Sequence, residues 1–439
     1  MSKLYAAFGE FEIPVQIGAP IIGWIPPVRP TRFKAEPLLG NVAVLKNEKA
    51  LLVLFSMDLL GMEIEDCEKI RREVAAAVGT DYACVSISST HSHSGPATMD
   101  CLSDKKDPKL VEELERRMVD AAKTLSQKME PAVLGCGFTY ENDITWNRRY
   151  ILRDGSAWAH PQLDKIDVIC AEGPVDPQVG VVCVRNMEGL AMGYLVNFAC
   201  HPLFYGGQCI ASPNYIGFLR KELKRLERPE CVCLFINGAA GDISHSNPFD
   251  RTRTTAESVG EKLARRSYEV ALKVPYTDDV ELGGVASQAQ VNRRQISDEQ
   301  LERAKRVLAG EKNLTIDSLW HPVSSMPNDE FAQKVIALRQ RAETEPAYHI
   351  PVQAMRIGET KWAFCPGELF VRFGMEIKVR SSQRLTFVAG YSNGYIGYIF
   401  TPEAQQRGGY EPTPVGENAI DCNAGGVLVD TLSDLLEKV

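Results

Sequence analysis

The chain has 439 residues, of which 44% are hydrophobic and 24% are charged, and its formal net charge at pH 7 is −8. This composition is typical of a globular protein that buries a sizeable apolar core. The acidic balance gives no indication of a polyanionic partner, so we expect no nucleic-acid partner. Two short basic clusters, Arg251 with Arg253 and Arg293 with Arg294, are interpreted as solvated faces.

The first residues, MSKLYAAFGEFEIPVQIG, contain no apolar segment of signal-peptide length. No later segment approaches the roughly 20 continuous apolar residues of a transmembrane helix. We therefore expect a cytoplasmic protein with no membrane partner, and a homo-oligomer is compatible with the sequence. The 12 cysteines are scattered, many of them in strand-like segments, and are interpreted as reduced structural thiols.

The first half of the chain alternates between strand and helix patterns. Residues 41–58 predict a hairpin that turns at 46–48, because two β-rich segments flank a short polar one. Residues 63–78 predict an amphipathic helix with apolar residues spaced along one face. YACVSIS (82–88) predicts a buried strand, and 107–129 predict a second helix that starts at an Asp-Pro pair.

The second half continues the alternation. Strands are predicted near 165–171, 179–185, 191–198 and 230–237; helices are predicted over 215–227, 255–273, 297–310 and 328–344. A hairpin over 350–365 turns at 358–359, a helix starts after Pro366, and the irregular segment 310–325 is interpreted as an insertion. This order predicts an α/β fold with a mixed central sheet covered by helices and an active site on loops at strand ends.

Candidate metal ligands follow three of the predicted strands. His91 and His93, in SSTHSHSGP, leave the strand 82–88, and on an extended backbone residues two apart project to one side. His201 ends the apolar segment GYLVNFACHP, and Glu368 follows the hairpin strand in TKWAFCPGELF. Singly, each has an ordinary alternative, a hydrogen-bonded loop histidine or a solvated glutamate at a helix start. Together, two histidines and a carboxylate are typical of a catalytic zinc site with an open position.

Four segments carry a resemblance to a known family: THSHSGP, NFACHP, PGELF and 391-YSNGYIGYIFTPEAQQRGGYEPT-413. In this order and context they resemble the neutral and alkaline nonlysosomal ceramidases, which are zinc-dependent amidases, and the likeness extends over about residues 5–435. It implies a single ceramidase-like catalytic domain over 1–439. The longer family members carry an additional C-terminal β domain, which we do not expect in this chain.

The resemblance also implies roles for individual residues. One zinc ion per chain would be held by His91, His201 and Glu368, with Tyr398 of NGYIGY as the fourth ligand; a core aromatic is the alternative for Tyr398. His93 would face the substrate carbonyl and Tyr410 would help to hold the oxyanion. Arg148 of WNRRY matches a family arginine near the active site.

Three further residues are predicted to bind substrate. Asp242 and Ser244 lie in INGAAGDISHSNP, which resembles a Gly-Asp-x-Ser loop of the family. This loop is expected to shape the pocket, and a nucleophilic serine with a neighbouring base is the alternative. Asn214 stands where many relatives have an aspartate, which changes a carboxylate to a neutral amide near the site.

The predicted function is a zinc-dependent hydrolase that cleaves an amide bond of a small polar molecule by metal-activated water. An ester, a lactone or a glycosyl derivative cleaved at the same metal site is the alternative within enzymes. A ligand-binding protein without turnover is the alternative outside them. The ligand types would also accept iron, manganese or cobalt.

Overall fold

The structure, a computed structural model, describes residues 3–24, 29–101, 104–161, 167–248, 254–311, 328–414 and 418–439. Most of the predicted irregular segment 310–325 lies outside these ranges, as do Arg251 and Arg253. The α-helices within them are α1 Ile64–Val78, α2 Pro108–Ser126, α3 Tyr215–Leu226, α4 Ala256–Ala271, α5 Asp298–Leu308, α6 Asn328–Thr344, α7 Val371–Arg380, α8 Pro402–Arg407 and α9 Ala424–Leu436. None of these helices is long and apolar enough to cross a membrane.

The strands of the described ranges vary from two residues to 11 residues in length. They are β1 Tyr5–Glu12, β2 Pro20–Ile21, β3 Arg29–Pro30, β4 Phe33–Lys34, β5 Leu39–Lys46, β6 Leu51–Met57, β7 Val85–Ser89, β8 Glu130–Tyr140, β9 Trp146–Asn147, β10 Arg149–Leu152, β11 Ala157–Ala159, β12 Val168–Ala171, β13 Gln178–Asn186, β14 Ala191–Phe198, β15 Ile210–Ala211, β16 Val232–Asn237, β17 Ile243–Ser244, β18 Leu282–Asn292, β19 Ala347–Ile357, β20 Thr360–Phe364, β21 Glu368–Leu369, β22 Leu385–Ala389 and β23 Tyr398–Ile399.

The largest sheet has eight strands in the order β16-β14-β13-β8-β1-β5-β6-β7. Its terminal pairs, β14 with β16 and β6 with β7, are parallel. The neighbouring pairs between them are antiparallel. The sheet is therefore mixed, and the predicted α/β fold with a mixed central sheet is confirmed.

A second sheet of four strands, β18-β19-β20-β22, packs against the first. The apolar cluster between them contains Leu45 and Leu54 from the large sheet and Trp362 and Phe387 from the small one. Helices α1 and α2 cover one half of the outer face of the large sheet, α3 and α4 cover the other half, and α7 and α9 cover the outer face of the small sheet. The result is four layers, helix, sheet, sheet and helix.

This layering explains the almost continuous apolar segments of the central strands. In β5, Val42 and Val44 face the helices, whereas Ala43 and Leu45 face the second sheet. Side chains alternate between the two faces of a strand, so a strand that is covered on both sides is apolar at every position. The sequence predicts these strands well, but only the tertiary structure divides them between two sheets.

Three local predictions are wrong in detail. YACVSIS begins as a 3-10 turn over Tyr82–Cys84, and the strand starts at Val85. No helix starts directly after Pro366: Glu368 lies in β21, and α7 begins at Val371. Arg293 and Arg294 are buried, not solvated, and their guanidinium groups lie over the rings of Tyr348 and Phe400. For both arginines, packing of the side chain against an aromatic ring outweighs the preference of a charged residue for solvent.

Candidate metal centre

The predicted ligands lie at the carboxyl ends of parallel strand pairs. His91 follows β7, His201 follows β14, and Glu368 lies four residues beyond β20. Asn237, the last residue of β16, connects these ends, because its amide nitrogen donates to the carbonyl oxygens of Thr90 and Cys200 at 3.1 Å and 3.2 Å. Ligands that are distant in sequence therefore share one edge of the fold.

The loop that carries His91 and His93 is not extended, which corrects the geometric argument made from their spacing. His91 has a φ of 66°, in the left-handed region that non-glycine residues rarely adopt. The loop is fixed by its neighbours, since the amide nitrogens of Thr90 and Ser92 donate to the carbonyl oxygens of Met57 and Leu59. Its two histidine rings meet edge to face, with centroids 4.7 Å apart.

Three histidines are oriented in the same way. Nδ1 of His91 lies 2.8 Å from the carbonyl oxygen of Leu60, Nδ1 of His93 lies 2.8 Å from that of Gly23, and Nδ1 of His201 lies 2.7 Å from that of Ala240. A carbonyl oxygen only accepts hydrogen bonds, so Nδ1 carries the proton and Nε2 of each neutral ring presents a lone pair.

These lone pairs converge with a carboxylate in what we call the histidine cluster, formed by His91, His93, His201 and Glu368. Nε2 of His201 is 3.0 Å and Nε2 of His91 is 3.5 Å from Oε2 of Glu368. Nε2 of His93 is 3.1 Å from Nε2 of His91. His91, His201 and Glu368 are buried, whereas His93 is partly exposed.

The donor atoms of this cluster fit a bound metal ion. Bond lengths of about 2.0–2.1 Å at a tetrahedral zinc ion place ligand atoms about 3.3 Å apart, which agrees with the observed spacing of 3.0–3.5 Å. Oε2 of Glu368 is buried with no hydrogen-bond donor among the described residues. The three histidines alone also form a group that could hold a metal ion. Lone pairs this close repel one another unless a cation lies between them.

The electrostatic environment lowers the pKa of two of the histidines, His93 and His201. Burial and the charge of Arg148 lower the pKa of His201 to about 4. Burial and the neighbouring His91 and His201 hold the pKa of His93 well below its ordinary value. Neutral imidazoles beside an ionised carboxylate are the protonation states that metal binding requires.

A second group of buried charges adjoins the first. We call it the arginine cluster; it consists of Arg148, Arg149, Glu172 and Glu411. Nε of Arg148 donates to Glu411 at 2.7 Å and Nη1 of Arg149 donates to Glu411 at 2.5 Å, and Arg149 also pairs with Glu172. Each carboxylate in this cluster faces a guanidinium group, so the buried charges compensate one another.

Arg148 connects the two clusters. Its Nη1 lies 3.3 Å from Nε2 of His201, and its Nη2 donates to the hydroxyl of Tyr398 at 2.9 Å. The ring of Tyr410 lies 5.7 Å from that of Tyr398. The structure thus brings Arg148, Tyr398 and Tyr410 to the edge of the histidine cluster. The metal-ligand role of Tyr398 and the oxyanion role of Tyr410 stay predictions.

Asp242 and Ser244 are held by protein groups. The carboxylate of Asp242 accepts a hydrogen bond from the backbone nitrogen of Val371 and one from the side chain of Asn147, both at 2.8 Å. Burial raises its pKa to about 6. Ser244 is buried in β17, which pairs with β9, and its Oγ accepts from the backbone nitrogen of Ser246. Contact of Asp242 or Ser244 with substrate stays a prediction.

Asn214 supports the loop of the first two histidines. Its amide nitrogen lies 3.2 Å from Oγ of Ser92 and 3.4 Å from Oγ of Ser94, and its Oδ1 accepts from the backbone nitrogen of Phe204. It is fully buried with a φ of 56°, a conformation that costs about 1–3 kcal/mol. Contact of Asn214 with substrate stays a prediction.

Sequence reasoning missed several residues that fix the site. Glu411, Asn237, Tyr391 and Tyr395 were assigned no role, although each lies within or beside a quoted motif. The adjacent Arg148 and Arg149 pointed indirectly to a residue such as Glu411, because two arginines that enter a core require a buried carboxylate as partner. Tyr395 is the first tyrosine of NGYIGY, and its hydroxyl donates to Oε1 of Glu368 at 2.6 Å.

Comparison with solved structures supports the resemblance at the level of the fold. A structure described as a ceramidase complexed with C2 superposes with a TM-score of 0.73 at 17% identity, over 99% of this chain and 75% of that one. The neutral ceramidase from Pseudomonas aeruginosa gives a TM-score of 0.72 at 17% identity, over 99% and 74% of the two chains. No family model and no curated protein sequence matches. The chain therefore has the fold of the neutral ceramidases.

Proposed function

We propose that this protein is a zinc-dependent hydrolase that cleaves an amide bond of a small polar substrate, with one zinc ion per chain. The observation that carries the proposal is the convergence of imidazole lone pairs on Oε2 of Glu368, a buried carboxylate oxygen to which no group in the described part of the chain donates a hydrogen bond. The fold shared with neutral ceramidases supports the same reaction class.

His91, His201 and Glu368 would hold the metal, and they are the most deeply buried members of the histidine cluster. A bound divalent cation lowers the pKa of water and polarises a carbonyl group. His93 has a different role, because it is partly exposed and its protonated Nδ1 donates to the carbonyl oxygen of Gly23. Its Nε2 therefore accepts a proton from the attacking water, and the imidazolium so formed donates towards the carbonyl oxygen or the leaving group.

Arg148 and Tyr410 complete the proposed machinery. The guanidinium of Arg148 is held by Glu411 and contacts both His201 and Tyr398, so it supplies fixed positive charge beside the reacting carbonyl. The Tyr410 ring is partly exposed next to Tyr398, where its hydroxyl would donate to the oxyanion. Burial raises the pKa of this phenol, which keeps its proton available.

An ester, lactone or glycosyl bond is the second candidate, since one fold and one metal site can serve several hydrolytic reactions. The ceramidase neighbours are named for an amide-bearing lipid, which favours the amide over the other bonds. A binding protein without turnover would keep the ligand set of the histidine cluster but would not need the anchored proton acceptor at His93.

The first experiment is elemental analysis of the purified, chelator-rinsed protein beside the variants His201→Ala and His245→Ala. His245 is the matched control, because it touches the carbonyl oxygen of His201 and packs on Phe204 but does not face the cluster. We expect about one zinc ion per chain in the wild type and in His245→Ala and little in His201→Ala. A wild type without metal would remove the hydrolase proposal and leave the binding protein.

A substrate panel then separates the bonds. Short N-acyl amides, the matching esters, lactones and aryl glycosides are assayed with the metal-loaded wild type and with His93→Ala. Turnover of the amides that falls in the variant supports the proposal. Turnover confined to esters, lactones or glycosides replaces the amide with the second candidate.

A further inference from the structure

We infer that Tyr395 is a positioning residue, which orients the carboxylate of Glu368 so that one oxygen faces the metal and the other does not. The inference rests on the proposed function, because it treats Glu368 as a metal ligand. It concerns a residue for which sequence reasoning gave no role.

The two oxygens of Glu368 have different surroundings. Oε1 accepts the hydroxyl proton of Tyr395 at 2.6 Å, a short bond of the charge-assisted kind. Oε2 faces Nε2 of His201 and of His91 and has no hydrogen-bond donor among the described residues. A carboxylate that is free to rotate would exchange these oxygens or chelate with both. The Tyr395 hydroxyl removes that freedom, which is the action of partners that orient metal ligands.

Tyr395 is itself held by the site that it orients. Its ring lies nearly parallel to that of His91, at 18° and 6.1 Å, and it packs against an apolar cluster that includes Leu60, whose carbonyl oxygen orients His91. The backbone of Glu368 is tied to the same loop, since its nitrogen donates to Gly397 at 2.8 Å. Movement of the tyrosine hydroxyl relative to the carboxylate is therefore restricted.

Tyr391 provides a matched control in the same loop. Its ring stacks on His91 more closely than that of Tyr395, with centroids 4.1 Å apart and an angle of 24°. Its hydroxyl is buried but has no hydrogen-bond partner among the described residues. Both tyrosines thus pack on the same histidine, but only Tyr395 donates to Glu368. The same substitution at the two positions separates the hydrogen bond from the packing.

The test measures zinc affinity of Tyr395→Phe and Tyr391→Phe by competition with a fluorescent zinc chelator at one pH, which needs no substrate. We expect the affinity of Tyr395→Phe to fall by about 10-fold to 100-fold and that of Tyr391→Phe to stay within about twofold of the wild type. Equal affinities for wild type and Tyr395→Phe overturn the inference alone. A wild type that binds no zinc overturns the inference together with the proposed function.

A double variant guards against an unrelated effect of the substitution on folding. In a Glu368→Ala background the hydroxyl of Tyr395 has lost its acceptor, so Tyr395→Phe should not weaken the residual zinc affinity further. If it weakens affinity as much there as in the wild type, Tyr395 acts through the fold rather than through Glu368. Circular dichroism of every variant establishes that the compared chains are folded.

Discussion

The histidine cluster and the arginine cluster lie side by side, are both largely buried and meet at Arg148, but their charges are arranged in opposite ways. In the arginine cluster Glu411 faces two guanidinium groups, so each charge has a partner supplied by the chain. In the histidine cluster lone pairs face Oε2 of Glu368, so acceptor faces acceptor. The first cluster is compensated as folded, and the second has the donor atoms of a group that could hold a metal ion.

This difference indicates which buried polar groups serve stability and which serve function. Removal of one partner from a compensated, buried ion pair strongly destabilises the fold, because the other charge stays buried and unpaired. A group of facing acceptors contributes little stability in the absence of a cation, so its presence calls for a functional explanation. Two buried glutamates, Glu368 and Glu411, allow this comparison to be tested with one kind of substitution.

The largest effect is expected from Glu368→Gln on metal occupancy. Zinc per chain should fall from about one to near zero, as measured by elemental analysis, because the carboxylate charge is lost. The metal-free variant should be at least as stable in urea as the metal-free wild type, since the new amide nitrogen can donate to Nε2 of His201, now 3.0 Å from Oε2. Full zinc occupancy in Glu368→Gln would contradict the proposed ligand set.

The next largest effect is expected from Glu411→Gln on stability. Loss of this charge leaves Arg148 and Arg149 buried without their shared partner, so the free energy of unfolding should fall by about 3–5 kcal/mol, measured by urea denaturation of the metal-free protein. The control is Glu311→Gln, which breaks the exposed pair with Arg306 and should cost less than about 1 kcal/mol. Equal losses in the two variants would show that the arginine cluster is not internally compensated.

A smaller effect is expected from His93→Ala on the rate. Loss of one preorganised proton acceptor or donor should lower kcat by about 10²-fold to 10³-fold, with zinc occupancy unchanged. Kinetics on a substrate found by the panel and elemental analysis of the same sample measure the two quantities. Because His93 lies 3.1 Å from His91 and forms a group with His91 and His201 that could hold a metal ion, loss of metal in this variant would make it a ligand instead.

The smallest effect expected is the dependence of stability on acid. Burial raises the pKa of Glu411, but Arg149 and Arg148 lower it more, to about 2 from an ordinary value of 4.5. A carboxyl group whose pKa is lowered by folding contributes stability above 4.5, and this contribution, on the order of 3 kcal/mol, is lost as the pH falls towards 2. Between pH 5 and pH 2, the free energy of unfolding measured with urea should therefore decline less steeply in Glu411→Gln than in the wild type. Parallel declines in the two proteins would contradict the assigned contribution of Glu411.

Prediction from sequence succeeded where a pattern is local. The helix over 63–78 and the hairpin over 41–58 are present as α1 and as β5 with β6, because amphipathic periodicity and turn composition are properties of short segments. The separate four-stranded sheet, the buried Arg293 and Arg294 and the delayed start of α7 were missed. Each depends on residues far away in the chain, which a local pattern does not contain.

The sequence by itself determined the chemical types at the candidate site, namely imidazoles at positions 91, 93 and 201 and a carboxylate at 368, each placed after a strand. Only the tertiary structure decided that they meet, which rings are turned by backbone carbonyls, and that Tyr395 and Glu411 hold the groups around them. The physical reason is that strand ends converge through sheet pairing and layer packing. Donor and acceptor directions are then set by hydrogen bonds between segments as far apart as Arg148 and Glu411.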